Sequence, residues 1–346
     1  MKKSFKLSIV LLLALTVVLA GCGNNKNNAN SGESANAGSS GNTASNVKIG
    51  LVTDVGGVND KSFNQSAWEG LSAVEGAKTE YLQSTKADDY ETNLNKFVKG
   101  GYDLTWGIGM DLGDAVGKVA SENADAKLAI IDATVDQPNV KSVTFSENEG
   151  SFLVGVVAGL MTKTNKIGFV GGTEIPVIKR FEAGFQAGIQ AVNPNAQLLV
   201  NYTGAFDKPD LGKTAAATFY DNGADIVFQA AGGTGTGVFN EATARVKSGQ
   251  KVWVIGVDKD QSLEFGDEVT LTSMVKRVDE AVKRVSQEVI DGTFKGGSEV
   301  LGLKENGVGI ADTSSKNVPA DVLAKVEEYK QKIISGEITV PSEPAK

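Results

Sequence analysis

The chain has 346 residues, of which 41% are hydrophobic and 22% charged, and its formal net charge is −8. This length exceeds one ordinary hydrophobic core, so we expect two domains. The acidic balance argues against nucleic acid or an anionic lipid surface as the main partner. The sequence has no histidine and one cysteine, which excludes internal disulfides, cysteine-based metal clusters and catalytic arrangements that need histidine.

The N-terminus has the order of a secretory signal. Three lysines lie within the first six residues, and the apolar run 7–19 is shorter than the roughly 20 residues that a membrane span needs. The sequence Leu19-Ala20-Gly21-Cys22 then resembles the cleavage signal of bacterial lipoproteins. We expect residues 1–21 to be removed as a signal peptide and Cys22 to receive lipid such as palmitate. Removing the three lysines leaves 31 basic residues against 42 acidic ones.

Residues 22–46 predict a flexible tether. They are mostly Asn, Ser, Gly and Ala, and they show no apolar periodicity from which a core could form. A lipid-anchored tether places the folded body at the cell membrane, on its extracytoplasmic face. The alternative is an uncleaved anchor with an idle cysteine.

From Val47 onward, short apolar runs alternate with helical patterns. A strand at 47–52 precedes a glycine-broken loop and a helix that begins near Ser62. The later elements of the first series are a strand at 79–82, a helix from 88 or 89, strands at 103–107, 128–131 and 142–145, and an apolar helix at 149–164. The second series comprises strands at 166–170, 197–202, 225–229 and 252–257, with helices from 176 and at 211–220 and 238–247. The C-terminal part adds strands at 270–275 and 299–303 and helices at 278–290 and 322–334.

Strands separated by helix-length segments predict right-handed β-α-β units and parallel sheets. Two series of similar size predict two similar α/β lobes. We expect lobe 1 to comprise 47–150 and 276–346, because the last segment crosses back, and lobe 2 to comprise 151–275.

Glycine clusters do not indicate a nucleotide cofactor. Leu112 and Val238 stand where G-x-G-x-x-G requires its third glycine after Gly107 and Gly233, and Val238 also replaces the lysine of a phosphate-binding loop. Asp258-Lys259-Asp260 is the nearest candidate for a cation, but the intervening lysine disfavours one. We therefore expect no cofactor and no metal.

Polar and aromatic residues follow several strands. They are Asp54, Asp132, Phe206, Gly232 and Asp258. In a doubly wound pair of sheets, the carboxyl ends of the strands face a shared cleft, so we expect these residues to converge on one ligand. The alternative is that each of them only caps a turn.

The residue types point to a nucleoside. Phe63 and Phe206, one in each lobe, can sandwich a planar ring. Carboxylates accept hydrogen bonds, so Asp54 or Asp132 suits ring N–H or amino donors, and Asp258 suits the adjacent hydroxyls of a ribose. Lys276 can donate to the sugar. Arginine is scarce in these segments, which argues against a phosphate.

Six motifs in order carry a wider resemblance. They are D-x-G-G-x-N-D-K-S-F-N-Q at 54–65, G-F-V-G-G at 168–172, R-F-E-A-G-F at 180–185, A-A-G-G-T-G at 230–235, I-G-V-D-K-D-Q at 255–261 and T-S-M-V-K-R at 272–277. Together they resemble the basic membrane protein family of purine nucleoside-binding lipoproteins, which serve ABC importers. The resemblance spans residues 47 to 334.

The resemblance implies a type I periplasmic-binding-protein fold, with two lobes joined by three crossings. It implies that Phe63 and Phe206 stack the purine, that Asp54 and Asn64 lie at the base with Asp132 as a further partner, and that Gly232, Asp258 and Lys276 contact the ribose. The segment Trp106 to Asp111 does not align with the family residue by residue and stays outside this assignment.

The implied function is a monomeric, non-enzymatic receptor that captures a purine nucleoside such as guanosine, inosine or adenosine. It would deliver the nucleoside to an ABC permease driven by a separate ATPase. Two alternatives remain open at this point. One is a receptor of the same fold for a sugar or a signalling ligand, and the other is a nucleoside hydrolase in which Asp258 or Asp260 activates water.

Overall fold

The computed structural model describes residues 47–345. The expected signal peptide at 1–21, the lipidation site Cys22 and the tether at 22–46 lie outside the described residues. Among residues 47–345, no helix combines the length and the apolar composition that a membrane span requires.

Strands and helices alternate along most of the described chain. The strands are β1 (Val47–Thr53), β2 (Ala77–Gln83), β3 (Leu104–Ile108), β4 (Leu128–Ile131), β5 (Val140–Phe145), β6 (Lys166–Gly171), β7 (Gln197–Tyr202), β8 (Ile226–Ala230), β9 (Trp253–Asp258), β10 (Thr270–Lys276), β11 (Gly297–Leu301) and β12 (Val308–Ile310). The helices are α1 (Phe63–Ser72), α2 (Asp89–Lys99), α3 (Gly113–Glu122), α4 (Glu147–Met161), α5 (Pro176–Val192), α6 (Pro209–Asp221), α7 (Gly235–Lys247), α8 (Ser262–Phe265), α9 (Val278–Ile290) and α10 (Ala320–Ile334).

The strands form two sheets of six, in the orders β11-β5-β4-β3-β1-β2 and β12-β10-β9-β8-β6-β7. All neighbouring strands pair in parallel except β10 and β12, which are antiparallel. The central strands β3, β4 and β8 are buried along their whole length, because helices cover both faces of each sheet. The prediction of two similar parallel α/β lobes is confirmed.

The chain passes between the lobes at three places. It leaves the first sheet after Phe145, returns to it after Lys276, and leaves it again between Leu301 and Val308. Hydrogen bonds join these crossings: the Leu303 amide donates to Glu149 Oε2 at 2.8 Å, and the Arg277 amide donates to the Gly307 carbonyl at 2.9 Å. The lobes are therefore tied together along one side.

The segment 276–346 does not complete lobe 1 as a whole. Its helix α9 packs against α1, and its strand β11 extends the first sheet. However, β12 pairs with β10, and α10 packs against α4, so both belong to the second lobe. The third crossing, which lies within this segment, explains the difference.

Candidate functional site

A cavity of about 620 Å³, measured out to its mouth, lies between the two sheets at the carboxyl ends of their strands. The eight candidate binding residues from the sequence all line it: Asp54, Phe63, Asn64, Asp132, Phe206, Gly232, Asp258 and Lys276. The structure thus brings residues from both lobes to one site. The two that are farthest apart in the sequence, Asp54 and Lys276, are separated by 222 positions.

One end of the cavity is formed by the loop between β1 and α1. Asp60 caps the start of α1: its carboxylate accepts hydrogen bonds from the backbone amides of Ser62 and Asn64 at 2.9 Å and of Gln65 at 3.1 Å. The polar cluster before Phe63 therefore caps the helix. This cap fixes the first turn, on which both Phe63 and Asn64 lie.

The Asn64 amide group is oriented by two carboxylates. Its Nδ2 donates to Asp54 Oδ1 at 2.8 Å and to Asp60 Oδ2 at 3.0 Å. Its Oδ1 is buried and has no hydrogen-bond partner among the described residues. Burial raises the pKa of the Asp54 carboxyl to about 7, and the neighbouring Asp60 contributes to this rise, while the hydrogen bonds from Asn64 and Gly56 oppose it. A buried acceptor without a partner is costly, so this end of the cavity suits a ligand that presents N–H donors.

The two phenylalanines reach the cavity from opposite lobes. Phe63 is the first residue of α1, whereas Phe206 lies in the loop after β7. The Phe206 ring fits closely over Gly172, where an added Cβ would lie only 2.2 Å from ring atom Cε1. On the other side, the Phe206 carbonyl accepts a hydrogen bond of 3.0 Å from the Thr234 amide, which places Gly232 beside it.

Lys276 carries the positive charge of the site. It is buried, and its Nζ donates to Asp132 Oδ2 at 2.6 Å and lies 3.1 Å from Glu147 Oε1. Burial alone would lower the pKa of Lys276, but the carboxylates of Asp132, Glu147 and Asp258 outweigh it and raise that pKa. The ammonium therefore stays charged within the cavity. Asp132 Oδ1 is buried without a hydrogen-bond partner among the described residues.

Asp258 lies at the end of β9 and contacts the other lobe. Its φ of 63° falls in the left-handed region, as does the 70° of Asp132, and few residues other than glycine adopt it. Its Oδ2 accepts a short hydrogen bond from Ser62 Oγ, at the start of α1. Burial raises the pKa of Asp258 to about 7, although Lys276 and the hydrogen bond from Ser62 lower it.

Further contacts join the same two segments, one from each lobe. Gln261 Nε2 donates to the Lys61 carbonyl at 2.8 Å, and Lys259 Nζ pairs with Glu69 Oε1 at 2.7 Å. Glu264 accepts from Lys61 at 3.3 Å. We call these contacts, with the hydrogen bond from Ser62 to Asp258, the interlobe contacts. They join the two lobes beside Asp258.

Several residues of the cavity were missed from the sequence. Gly109, Met110 and Asp111 follow β3 and line the cavity next to Asp54, although the segment that contains them could not be aligned with the family. Their position just after a buried strand is the signal that would have found them. Trp106, in the same segment, instead lies in the core and donates its Nε1–H to Ser286 Oγ at 3.0 Å.

The remaining apolar wall comes from α5 and the residue before it, which contribute Ile175, Val177, Ile178 and Phe181. The described part of the chain has no group of three or more side chains arranged to bind a metal ion. Asp260 does not reach the cavity. Its carboxylate accepts from Ser262 Oγ and Thr313 Oγ1, both at 2.7 Å.

Two lobes, three crossings and a cavity between the sheets define a periplasmic-binding-protein-like receptor. A solved solute-binding protein of an ABC transporter system from Aeropyrum pernix K1 superposes with a TM-score of 0.79 at 30% identity, covering 86% of this chain and 94% of that one. The sequence model of the Bmp family, described as ABC transporter substrate-binding protein PnrA-like, matches residues 47–344. The chain belongs to this family.

Two relatives match over nearly their whole length. The CD4+ T-cell-stimulating antigen of Listeria innocua is 46% identical, over 99% of both chains. The ABC transporter nucleoside-binding protein BmpA of Lactococcus lactis is 42% identical, over 99% of this chain and 100% of that one. The resemblance found in the sequence motifs is thus confirmed at the level of the family.

Proposed function

We propose that this protein captures a purine nucleoside outside the cytoplasm and delivers it to an ABC permease driven by a separate ATPase. The observation that carries the proposal is that one aromatic ring from each lobe, Phe63 and Phe206, lines the same cavity. A flat base between two such rings gains roughly 1 to 3 kcal/mol for each stacked contact. The name of the Lactococcus lactis relative, a nucleoside-binding protein, supports the same ligand class.

The polar atoms of the cavity fit the two parts of a nucleoside. Asn64 Oδ1 and the Asp54 carboxyl can accept the N–H donors of a base. Asp258 and Lys276 also line the cavity, and we assign this acceptor and this donor to the hydroxyls of a pentose. We assign Gly232 to the same hydroxyls, and we keep Asp132, whose Oδ1 has no partner among the described residues, as a further partner of the base.

A calorimetric titration tests the ligand class. The protein is unfolded and refolded to remove any ligand that co-purifies, and then titrated with inosine, guanosine, adenosine, cytidine and ribose. We expect the purine nucleosides to bind more tightly than cytidine, because the larger ring stacks over more area, and ribose alone not to bind. Binding of ribose without binding of any nucleoside would overturn the proposal in favour of a sugar receptor.

The same samples test catalysis. A receptor leaves the ligand unchanged, so chromatography after incubation with inosine should recover intact nucleoside. Release of hypoxanthine and ribose would instead identify a nucleoside hydrolase. Because Asp260 is held by Ser262 and Thr313, a hydrolase would have to depend on Asp258 as its base.

We further propose that residues 1–21 are removed, that Cys22 is lipidated, and that 22–46 tether a monomeric receptor to the extracytoplasmic face of the membrane. The order of lysines, apolar run and Leu19-Ala20-Gly21-Cys22 supports this proposal. Expression of Cys22→Ala in a bacterial host tests it. We expect the wild-type protein in the membrane fraction with the mass of an added lipid, and the variant without that mass. An unmodified Cys22 in the wild-type protein would contradict the proposal.

A further inference from the structure

Glu147 is a fully buried carboxylate that sequence reasoning left unassigned and that does not line the cavity. It is the first residue of α4, at the first crossing between the lobes. A buried carboxylate is costly unless other charges compensate it, so its position requires an explanation in the contacts it makes.

Glu147 contacts two cations, one at each of its carboxylate oxygens. Arg180 Nε donates to Glu147 Oε2 at 2.6 Å, and Lys276 Nζ lies 3.1 Å from Oε1 as an ion pair rather than an aligned hydrogen bond. The Arg180 side chain is 24% exposed, whereas that of Lys276 is 1% exposed. Arg180 thus fixes the carboxylate from the solvent side, and the carboxylate in turn faces the ammonium of the cavity.

The ammonium of Lys276 is enclosed on its other sides as well. The rings of Phe63, Phe145 and Phe181 have their centroids 5.0, 5.1 and 5.7 Å from Nζ, which is cation–π distance. Asp132 takes one of the three N–H donors. Because Glu147 makes an ion pair without an aligned hydrogen bond, Lys276 keeps N–H donors for a ligand in the cavity.

We propose that Glu147 is a positioning residue that sets the preference of the site for a ribose over a sugar that lacks the 2′- and 3′-hydroxyls. The inference rests on the proposed function. Without the charge of Glu147, the Lys276 ammonium would turn towards its remaining carboxylates, Asp132 and Asp258. Lys276 would then no longer donate a hydrogen bond to a pentose hydroxyl, while the stacking of the base would be unaffected.

A purely structural role predicts a different result. Glu147 and Lys276 lie at the first and second crossings, so their ion pair also braces the side of the molecule along which the lobes are tied together. A weaker brace would lower the affinity for every ligand by the same factor. Glu149 offers a matched control, because it lies on the same helix and joins the first crossing to the third through the Leu303 amide.

The experiment compares inosine with 2′,3′-dideoxyinosine by calorimetry on the wild-type protein, Glu147→Gln, Glu147→Asp and Glu149→Gln. The measured quantity is the ratio of the two dissociation constants. We expect Glu147→Gln to reduce the wild-type preference for inosine by roughly tenfold or more, the size of one hydrogen bond to a charged group. Glu147→Asp keeps the charge but is too short to contact both cations, so we expect an intermediate ratio. Glu149→Gln should leave the ratio unchanged.

Each outcome decides the inference. A wild-type ratio in both Glu147 variants overturns the inference. A fall in the ratio for Glu149→Gln as large as that for Glu147→Gln overturns it too. In both cases, nucleoside binding by the wild-type protein leaves the proposed function intact. If the wild-type protein binds neither compound, the proposed function fails and the inference fails with it. Circular dichroism checks the fold of each variant. If Glu147→Gln does not fold, Glu147→Asp decides, because it retains the compensating charge.

Discussion

Replacing Phe206 by alanine removes one of the two rings of the proposed stacking site. We expect Phe206→Ala to weaken purine nucleoside binding by roughly 1 to 3 kcal/mol, which is about a 5- to 140-fold increase in the dissociation constant. The protein should remain folded, because Phe206 is only partly buried and lies on a loop at the edge of the core. Calorimetry and thermal unfolding on the same sample measure the two quantities separately.

The close contact between Phe206 and Gly172 allows a second, independent test of the same ring. A Cβ at position 172 would lie 2.2 Å from Cε1 and 2.4 Å from Cδ1, which is more than 0.5 Å inside any tolerable contact. Gly172→Ala must therefore displace the ring without removing it. We expect a loss of affinity that approaches, and does not exceed, that of Phe206→Ala.

The combination of the two variants makes the reasoning refutable. In the Phe206→Ala background the added methyl group has no ring to displace, so Gly172→Ala should cause little further loss, and the two effects should be far from additive. Gly309→Ala is the control, since a Cβ there meets nothing within 4 Å. Additive losses, or unchanged affinity in Phe206→Ala, would show that the ring does not stack on the ligand.

Three further predictions concern the carboxylates and the interlobe contacts. Asp258→Ala should lose roughly 1.5 to 3 kcal/mol of binding to ribonucleosides and much less to 2′,3′-dideoxy analogues, since those lack the hydroxyl partners; equal losses in calorimetry would contradict this. Lys259→Ala removes the 2.7 Å pair with Glu69, a partly exposed bridge worth about 0.2 to 1 kcal/mol. Small-angle X-ray scattering of the ligand-free protein should then show a larger radius, and an unchanged radius with unchanged affinity would count against a role in closure. Finally, the Asp54 carboxyl has a pKa of about 7 when folded against its usual 3.8, so the folded protein binds a proton that the unfolded chain has released. The free energy of unfolding should therefore fall as the pH rises from about 4 to about 7, and Asp54→Asn should flatten this slope in urea titrations at several pH values; an identical slope in the variant would be evidence against a neutral Asp54.

The order of the elements followed from the sequence because most strands here are short apolar runs between helix-length segments. The strands at 128–131 and 197–202 and the helix at 278–290 have the bounds expected of them. Helix α3 was missed, since three glycines among 107–113 obscure its start. Strand β12 was missed because a run of three residues carries no periodicity and gains its structure only by pairing with β10.

The sequence predicted those site residues that follow strands, because the carboxyl ends of parallel strands meet at one edge of the sheet. Asp54, Asp132 and Asp258 each follow or end a buried strand, and that position alone placed them at a common cleft. Asp60 and Glu147 could not be assigned in this way, because their roles depend on contacts made after folding. The helix predicted at 149–164 begins two residues earlier, at Glu147, and the pairing of that residue with Arg180 and Lys276 spans elements far apart in sequence.

Closure of the lobes and capture of the ligand share one group, the carboxylate of Asp258. Its Oδ2 accepts from Ser62 Oγ of the opposite lobe, while the residue also lines the cavity next to Lys276. Both contacts favour the charged form of a carboxyl whose pKa burial raises to about 7. Each donor that reaches Asp258, from the opposite lobe or from a pentose hydroxyl, therefore compensates part of the same desolvation cost. Binding and closure should accordingly reinforce each other. In the open protein this carboxylate is hydrated, whereas in the closed protein without ligand it has too few hydrogen-bond donors.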